Sequence, residues 1–175
     1  MPIMRALPTL SRHAATVLMV AIACGGFASD ALGQTAMTAN PTIGKWKLDV
    51  PKSKNLSPTA STNVTRTFED RGGGVVLATV EAFGTASEQG FSQYAVKYDG
   101  KYYPYQTRGS ATANSIAYMP TDNPYHYEWY IKVDGVPSNR GETTISADGK
   151  TLTITNYTTV DDKPLTVVSV FDRVP

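Results

Sequence analysis

The chain has 175 residues, with 16 Lys or Arg against 15 Asp or Glu, a formal net charge of +1 and one cysteine. That length points to a single domain, the balanced charge excludes the basic footprint of a nucleic-acid binder, and one cysteine excludes a fold stapled by internal disulfides. A domain of this size buries enough surface to be held by its core alone.

The first elements in chain order do not read as part of that core. Arg5, Arg12 and His13 precede the apolar run Ala14–Ala23, which is followed by Cys24 and then by the polar Ser29-Asp30. A basic flank, a short apolar core and small residues beyond it make a secretory signal peptide. The run is too short to span a bilayer, which takes about 20 apolar residues. Ala31-Leu32-Gly33 supplies a small-x-small pattern, so residues 1–33 are expected to be removed after Gly33, giving an exported product, periplasmic or extracellular, with no transmembrane segment. Ala21-Ile22-Ala23-Cys24 also loosely matches a lipoprotein cleavage site, which would leave the protein lipid-anchored through Cys24. Removal of residues 1–33 deletes Arg5, Arg12 and Asp30 and leaves a formally neutral remainder with no cysteine and with His126 as its one histidine. An exported domain without cysteine tilts the reading toward a bacterial source.

Residues 34–42 are small and polar and read as a flexible leader, so the domain is expected over 43–175. From there the pattern has period two: Trp46, Leu48 and Val50 alternate with Lys45, Lys47 and Asp49, as in a strand with one buried face. Pro51–Asn63 has two prolines and no apolar periodicity, and reads as an extended loop or a short lid. Strand-like runs follow at 64–70, 74–83, 91–99, 102–107, 114–119, 125–134, 139–147, 151–160 and 165–173, with no convincing helix. Asp99-Gly100, Asp134-Gly135 and Asp148-Gly149 sit between these runs, and Asp161-Asp162 holds the equivalent place in the next connection. Asp-Gly suits a two-residue hairpin because both central residues need positive φ. Consecutive hairpins give an up-and-down antiparallel sheet, and closing it removes two exposed edges. The expected fold is therefore an all-β, up-and-down antiparallel barrel of about eight to ten strands.

Two short motifs bracket this stretch: Gly44-Lys45-Trp46 opens it and Phe171-Asp172-Arg173 closes it. Gly-x-Trp on the first strand with an Arg at the end of the last resembles the calycins, the group of lipocalins and fatty-acid-binding proteins. More narrowly, Gly44–Lys54, Lys97-Tyr98-Asp99-Gly100-Lys101, Ser146–Thr153 and Phe171–Arg173 look like small secreted bacterial lipocalin-like proteins. The resemblance implies that Trp46 plugs one end of the barrel and Arg173 packs across it, with Gly44, Trp46 and Arg173 acting as a closure device. It also implies a binding protein for a small hydrophobic or amphipathic molecule.

Residues able to do covalent chemistry are scarce. His126 alone cannot build a histidine metal cluster, and in Tyr125–Val133 it shares the polar face with Glu128, Tyr130 and Lys132. Asp70, Asp99, Asp134, Asp148, Asp161 and Asp162 stand at turns, where they have structural work. Gly72-Gly73-Gly74 lacks the lysine and helix of a phosphate loop. No catalytic residue, metal or cofactor is expected, and the protein is read as a non-enzyme. An isomerase or cyclase working by cavity shape with a Tyr or carboxylate acid is the outlying possibility.

Nine of the ten tyrosines fall between Tyr94 and Tyr130. Ordinary β-propensity and cross-strand pairing account for many of them; a cavity wall or an adhesive outer patch would also use rings with polar tips. Strand parity nominates Phe68, Tyr94, Val96, Tyr98, Tyr127, Trp129, Ile154 and Phe171 as inward. Of these, Phe68, Tyr94, Tyr98, Tyr127 and Trp129 are the candidate cavity wall, together with Arg66, which shares a face with Val64 and Phe68. Buried arginine is costly without a partner, so Arg66 either anchors an anionic ligand or reaches water near the barrel mouth, the mouth being favoured. The leading function is a secreted lipocalin-like protein holding its ligand in a Tyr/Trp-lined cavity. The alternative is a non-enzymatic envelope or extracellular interaction module, a protease-inhibitor-like barrel acting through loops or a Tyr-rich surface.

Overall fold

The computed structural model describes residues 40–84, 89–108 and 111–175. The signal-peptide assignment, with Cys24 and Gly33, lies outside the described residues, as do leader positions 34–39. Among the described residues there are ten strands and no helix: β1 Gly44–Lys54, β2 Asn63–Asp70, β3 Val76–Phe83, β4 Gln89–Val96, β5 Tyr103–Thr107, β6 Asn114–Tyr118, β7 His126–Val133, β8 Val136–Ile145, β9 Thr151–Val160 and β10 Lys163–Val174. Every strand runs antiparallel to its sequence neighbours, and β1 pairs with β2 on one side and β10 on the other, so the sheet is a closed barrel. It is the up-and-down, all-β architecture that the alternation and the turns demand.

Two of the four Asp-containing turns are two-residue hairpins. Asp134-Gly135 has φ of 48° and 79°, and Asp161-Asp162 has 48° and 60°, the doubly positive pattern whose twist matches that of the flanking strands. Asp99-Gly100 and Asp148-Gly149 are not: they sit in the longer connections 97–102 and 146–150, and only their glycines have positive φ. There each aspartate shapes the loop with its side chain, Asp99 accepting from the Lys101 N–H at 3.1 Å and Asp148 from the Lys150 N–H at 3.0 Å.

β1 is longer than the sequence implied. It continues through Pro51 to Lys54, so the expected loop shortens to 55–62, and its register against β10 shifts between Asp49 and Lys54. Ser53 makes this possible: its hydroxyl donates to the Asp49 carbonyl at 2.7 Å and accepts the Val170 N–H at 3.0 Å, replacing a ladder bond. The irregularity also turns Val50, expected inside, to the surface. Leu56 in the remaining loop packs back against the core.

The end of the barrel where β1 begins is sealed. Trp46 is 0% exposed, and its indole N–H donates to the Thr42 carbonyl at 2.8 Å. The Arg173 guanidinium lies 4.1 Å over the Trp46 ring and donates to the carbonyls of Gly149 at 2.5 Å, Ile43 at 2.7 Å and Pro41 at 2.7 Å. A desolvated cation over an indole contributes about 2 kcal/mol, and three carbonyl acceptors meet the donors that burial would otherwise strand. Asn40–Thr42, assigned by sequence to the flexible leader, are therefore part of the floor: Thr42 is buried and Asn40 accepts from the Tyr127 hydroxyl at 3.0 Å. Above the floor Leu48, Phe68, Val76, Val96, Leu152 and Phe171 fill the lower half as solid core.

Gly44 is dictated by this floor. Its φ is +133°, and a Cβ there would overlap Arg173 Nη1. Gly44→Ala is expected to lower stability by about 2–3 kcal/mol through combined strain and overlap, whereas Gly73→Ala, at φ +59° with nothing within 4 Å, should cost about 1 kcal/mol. Urea unfolding midpoints at unchanged slope measure both, and equal losses would show that the close approach of Arg173 is not what requires a glycine.

Candidate functional site

Above the solid half the barrel holds a cavity of about 230 Å³. Its wall is built by inward positions of eight strands. Tyr94 on β4, Tyr105 on β5 and Tyr118 on β6 give one side, Trp129 and Ile131 on β7 the next, and Asn139 and Thr143 on β8, Ile154 and Asn156 on β9 and Val167 and Ser169 on β10 complete the turn to Arg66 on β2. Wall residues that share a strand are always an even number of positions apart, which is the alternation of a pleated wall.

The tyrosines form a graded column. The Tyr94 and Tyr105 rings meet edge to face at 5.3 Å, Tyr94 stacks on Tyr118 at 6.2 Å, Tyr118 meets Tyr98 at 5.0 Å, and Tyr98 meets Tyr127 at 4.6 Å. Tyr105, Tyr94 and Tyr118 border the cavity, while Tyr98 and Tyr127 lie in the packed floor. The buried hydroxyls of Tyr94 and Tyr118 are 2.9 Å apart. Two hydroxyls sharing one hydrogen bond leave one O–H over for another acceptor. Burial pushes the Tyr94 phenol up and the Tyr118 phenol well above the usual tyrosine range, with the Arg66 charge acting in the opposite direction on both.

Trp129 owes its place to a residue without a side chain. Gly141 pairs with it across β7 and β8, and a Cβ there would overlap both the indole Cζ2 and the Thr155 carbonyl oxygen. The indole therefore packs directly on the Gly141 backbone.

Arg66 is half-buried, on the inward face of β2 and in the wall of the cavity. It stands opposite Trp46 on β1 and Val80 on β3, with its guanidinium carbon 5.3 Å from the centre of the Phe171 ring. Its buried Nε has no hydrogen-bond partner among the described residues, and neither has the buried Oδ1 of Asn156. Among those residues no Asp or Glu lines this cavity.

Of the six residues nominated for the wall, Arg66, Tyr94 and Trp129 line the cavity and Phe68, Tyr98 and Tyr127 do not. The three exceptions do face inward, as parity implies, but at a depth where side chains fill the section completely. Tyr105, Tyr118 and Asn156 were missed, although Asn156 shares its face with Ile154 and Tyr118 with Ile116.

The outer face of β7–β9 is also aromatic. A recess of about 240 Å³ is lined by Glu128, Tyr130, Arg140, Gly141, Glu142 and Tyr157. His126 Nε2 is 3.0 Å from Glu142 Oε2, the Tyr157 hydroxyl donates to Glu142 Oε1 at 2.9 Å, and the Tyr130 hydroxyl to Glu128 at 3.0 Å. The bonds from His126 and then Tyr157 hold the Glu142 carboxyl below its ordinary value. Among the described residues no group of three or more His, Cys, Asp or Glu is placed to hold a metal, and no helix is long and apolar enough to cross a membrane.

No protein-family model and no curated protein matches the chain. Among solved structures it is similar to a point mutant of the fluorescent protein UnaG, with a TM-score of 0.55 and 15% identity over 78% of this chain and 98% of that one. At that identity the likeness establishes the fold, a calycin-type barrel, and nothing finer.

The buried phenols make a pH prediction. A tyrosine held neutral by the folded state keeps its proton where the unfolded chain loses it, so its stabilisation is complete below pH 10 and is lost as pH rises from about 10 toward the elevated folded value. Alkaline titration of phenolate absorbance should show Tyr94 and Tyr118 ionising only with the loss of near-UV circular dichroism. Ionisation of all ten tyrosines in a still-folded protein would contradict the buried pair.

Proposed function

We propose that this protein binds a small hydrophobic or amphipathic molecule inside the barrel, against Tyr94, Tyr105, Tyr118 and Trp129. The observation that carries the reading is the cavity itself: a half-filled barrel with aromatic walls over a sealed floor is a concave, mostly apolar site with a few convergent polar groups. The signal-like residues 1–33 make it an exported binder, released after Gly33, so the exported chain is expected to begin at Gln34 by intact mass; a diacylated Cys24 would replace that assignment with a lipid anchor.

The aromatic exterior supports one other reading, a surface that acts on macromolecular partners. Tyr157 is 37% exposed and carries Arg140 5.3 Å over its ring, and Tyr102 is 41% exposed with Lys132 4.1 Å over its own. A ring held by a cation is pre-organised for contact at low entropic cost.

One pair of variants separates the two. Ser169→Phe fills the cavity from β10 and is expected to weaken the binding of indole, a small neutral aromatic probe, at least tenfold by calorimetry, while stability stays level or rises by about 1 kcal/mol as in other cavity-filling changes. Tyr157→Ala, on the outer face, should leave indole binding unchanged. The reverse pattern would move the site to the exterior.

A further inference from the structure

The cavity contains a charge that no described residue of its wall balances. Among the described residues Arg66 makes no ion pair and no hydrogen bond through its buried Nε, its ring contact being with Phe171; the side chain is half-buried, and a charge drawn even partly out of water without a partner is costly. At the opposite end Arg173 shows how this same barrel satisfies an arginine when only structure is at stake, with three backbone carbonyls around it. Arg66 has no such arrangement. Nearby, the Tyr94–Tyr118 pair has an O–H to spare, and both hydroxyls lie within the reach of the Arg66 charge. Two donors, one of them cationic, thus share a cavity whose described lining holds no carboxylate. Asn156 Oδ1 adds the opposite need, an acceptor without a donor.

Size limits what meets these needs. If each heavy atom with its hydrogens takes roughly the 30 Å³ share of a water molecule, about 230 Å³ holds on the order of eight of them, with further atoms reaching the open end. That size favours one aromatic ring with its substituents over a long acyl chain or a multi-ring pigment.

Building on the cavity-binding function above, we propose that the ligand is a small aromatic acid, its anionic group paired with Arg66 and the Tyr94–Tyr118 hydroxyls, its ring against Trp129 and Tyr105, and a hydroxyl or N–H donor turned to Asn156. The acid supplies the counter-charge that the described wall residues leave out, so the ligand-free protein carries a destabilising centre that binding relieves. Arg66 is a specificity-determining residue, and its replacement separates binding from folding.

The test compares 4-hydroxybenzoate with 4-hydroxybenzamide, which has the same shape without the charge, by calorimetry on the purified protein freed of ligand. The acid is expected to bind at least tenfold more tightly than the amide. Arg66→Met should abolish that preference and leave the melting temperature of the ligand-free protein equal or higher, since it removes an unpaired charge; Arg66→Lys should keep part of the preference; and Asn156→Leu should remove the advantage of 4-hydroxybenzoate over benzoate. Equal binding of acid and amide by the wild-type protein, with indole still bound, overturns the anionic anchor and leaves the cavity function standing. Failure of all these probes, indole included, overturns both. A preference for the acid that survives Arg66→Met places the anion elsewhere and overturns the assignment to Arg66.

Discussion

Arg173 lying over the Trp46 ring is the contact on which the rest of the barrel depends. A closed sheet has no edges to protect, but it still has two open ends, and hydrophobic side chains at an end are wet unless something caps them. Trp46 fills the section where β1, β2 and β10 meet, and Arg173 covers the indole while bonding to the Pro41, Ile43 and Gly149 carbonyls. One side chain thereby ties the segment before β1, the turn before β9 and the last strand into a single floor. The approach is so close that Gly44 has no room for a side chain.

With that end sealed, the interior divides by depth. Below, large apolar groups from most strands pack into one core; above, the section is shared by Tyr94, Tyr105, Tyr118 and Trp129 with Asn139, Thr143, Asn156 and Ser169. The polar residues are inward by strand parity, so the chain places hydrogen-bonding groups inside its own barrel through regular strands and not through an accident of a loop. A purely structural interior gains stability by replacing them with apolar residues. The two arginines differ in just this respect: Arg173 bonds a carbonyl through each of its three nitrogens, whereas the buried Nε of Arg66 has no partner among the described residues.

Much of the fold was legible because its signals are local. Period-two alternation located all ten strands, and the Asp134-Gly135 and Asp161-Asp162 turns set their antiparallel order. Trp46 and Arg173 were legible as a pair through the calycin resemblance of the short motifs that carry them. Depth was not. Parity shows that Tyr94, Tyr98 and Tyr127 face inward, but whether a ring borders space or is embedded depends on everything else at its level of the barrel, so Tyr94 borders the cavity while Tyr98 and Tyr127 do not. Irregularities were also invisible: Pro51 argued for a loop, and only the Ser53 hydroxyl standing in for a backbone group lets β1 continue past it. Gly141 carries no local signal of its role, because the slot it opens for Trp129 exists only once β7 and β8 are paired.

If the floor is closed and ligand enters only the half above it, the two tryptophans report on those halves separately. Trp46 is bonded to Thr42 within the floor, and Trp129 lines the cavity. Indole N–H signals followed by nuclear magnetic resonance during titration with a small aromatic probe should show the Trp129 resonance shifting to saturation while the Trp46 resonance stays in place. A shift at Trp46 with Trp129 unmoved, or saturation of binding with neither affected, would contradict a closed floor beneath a binding cavity.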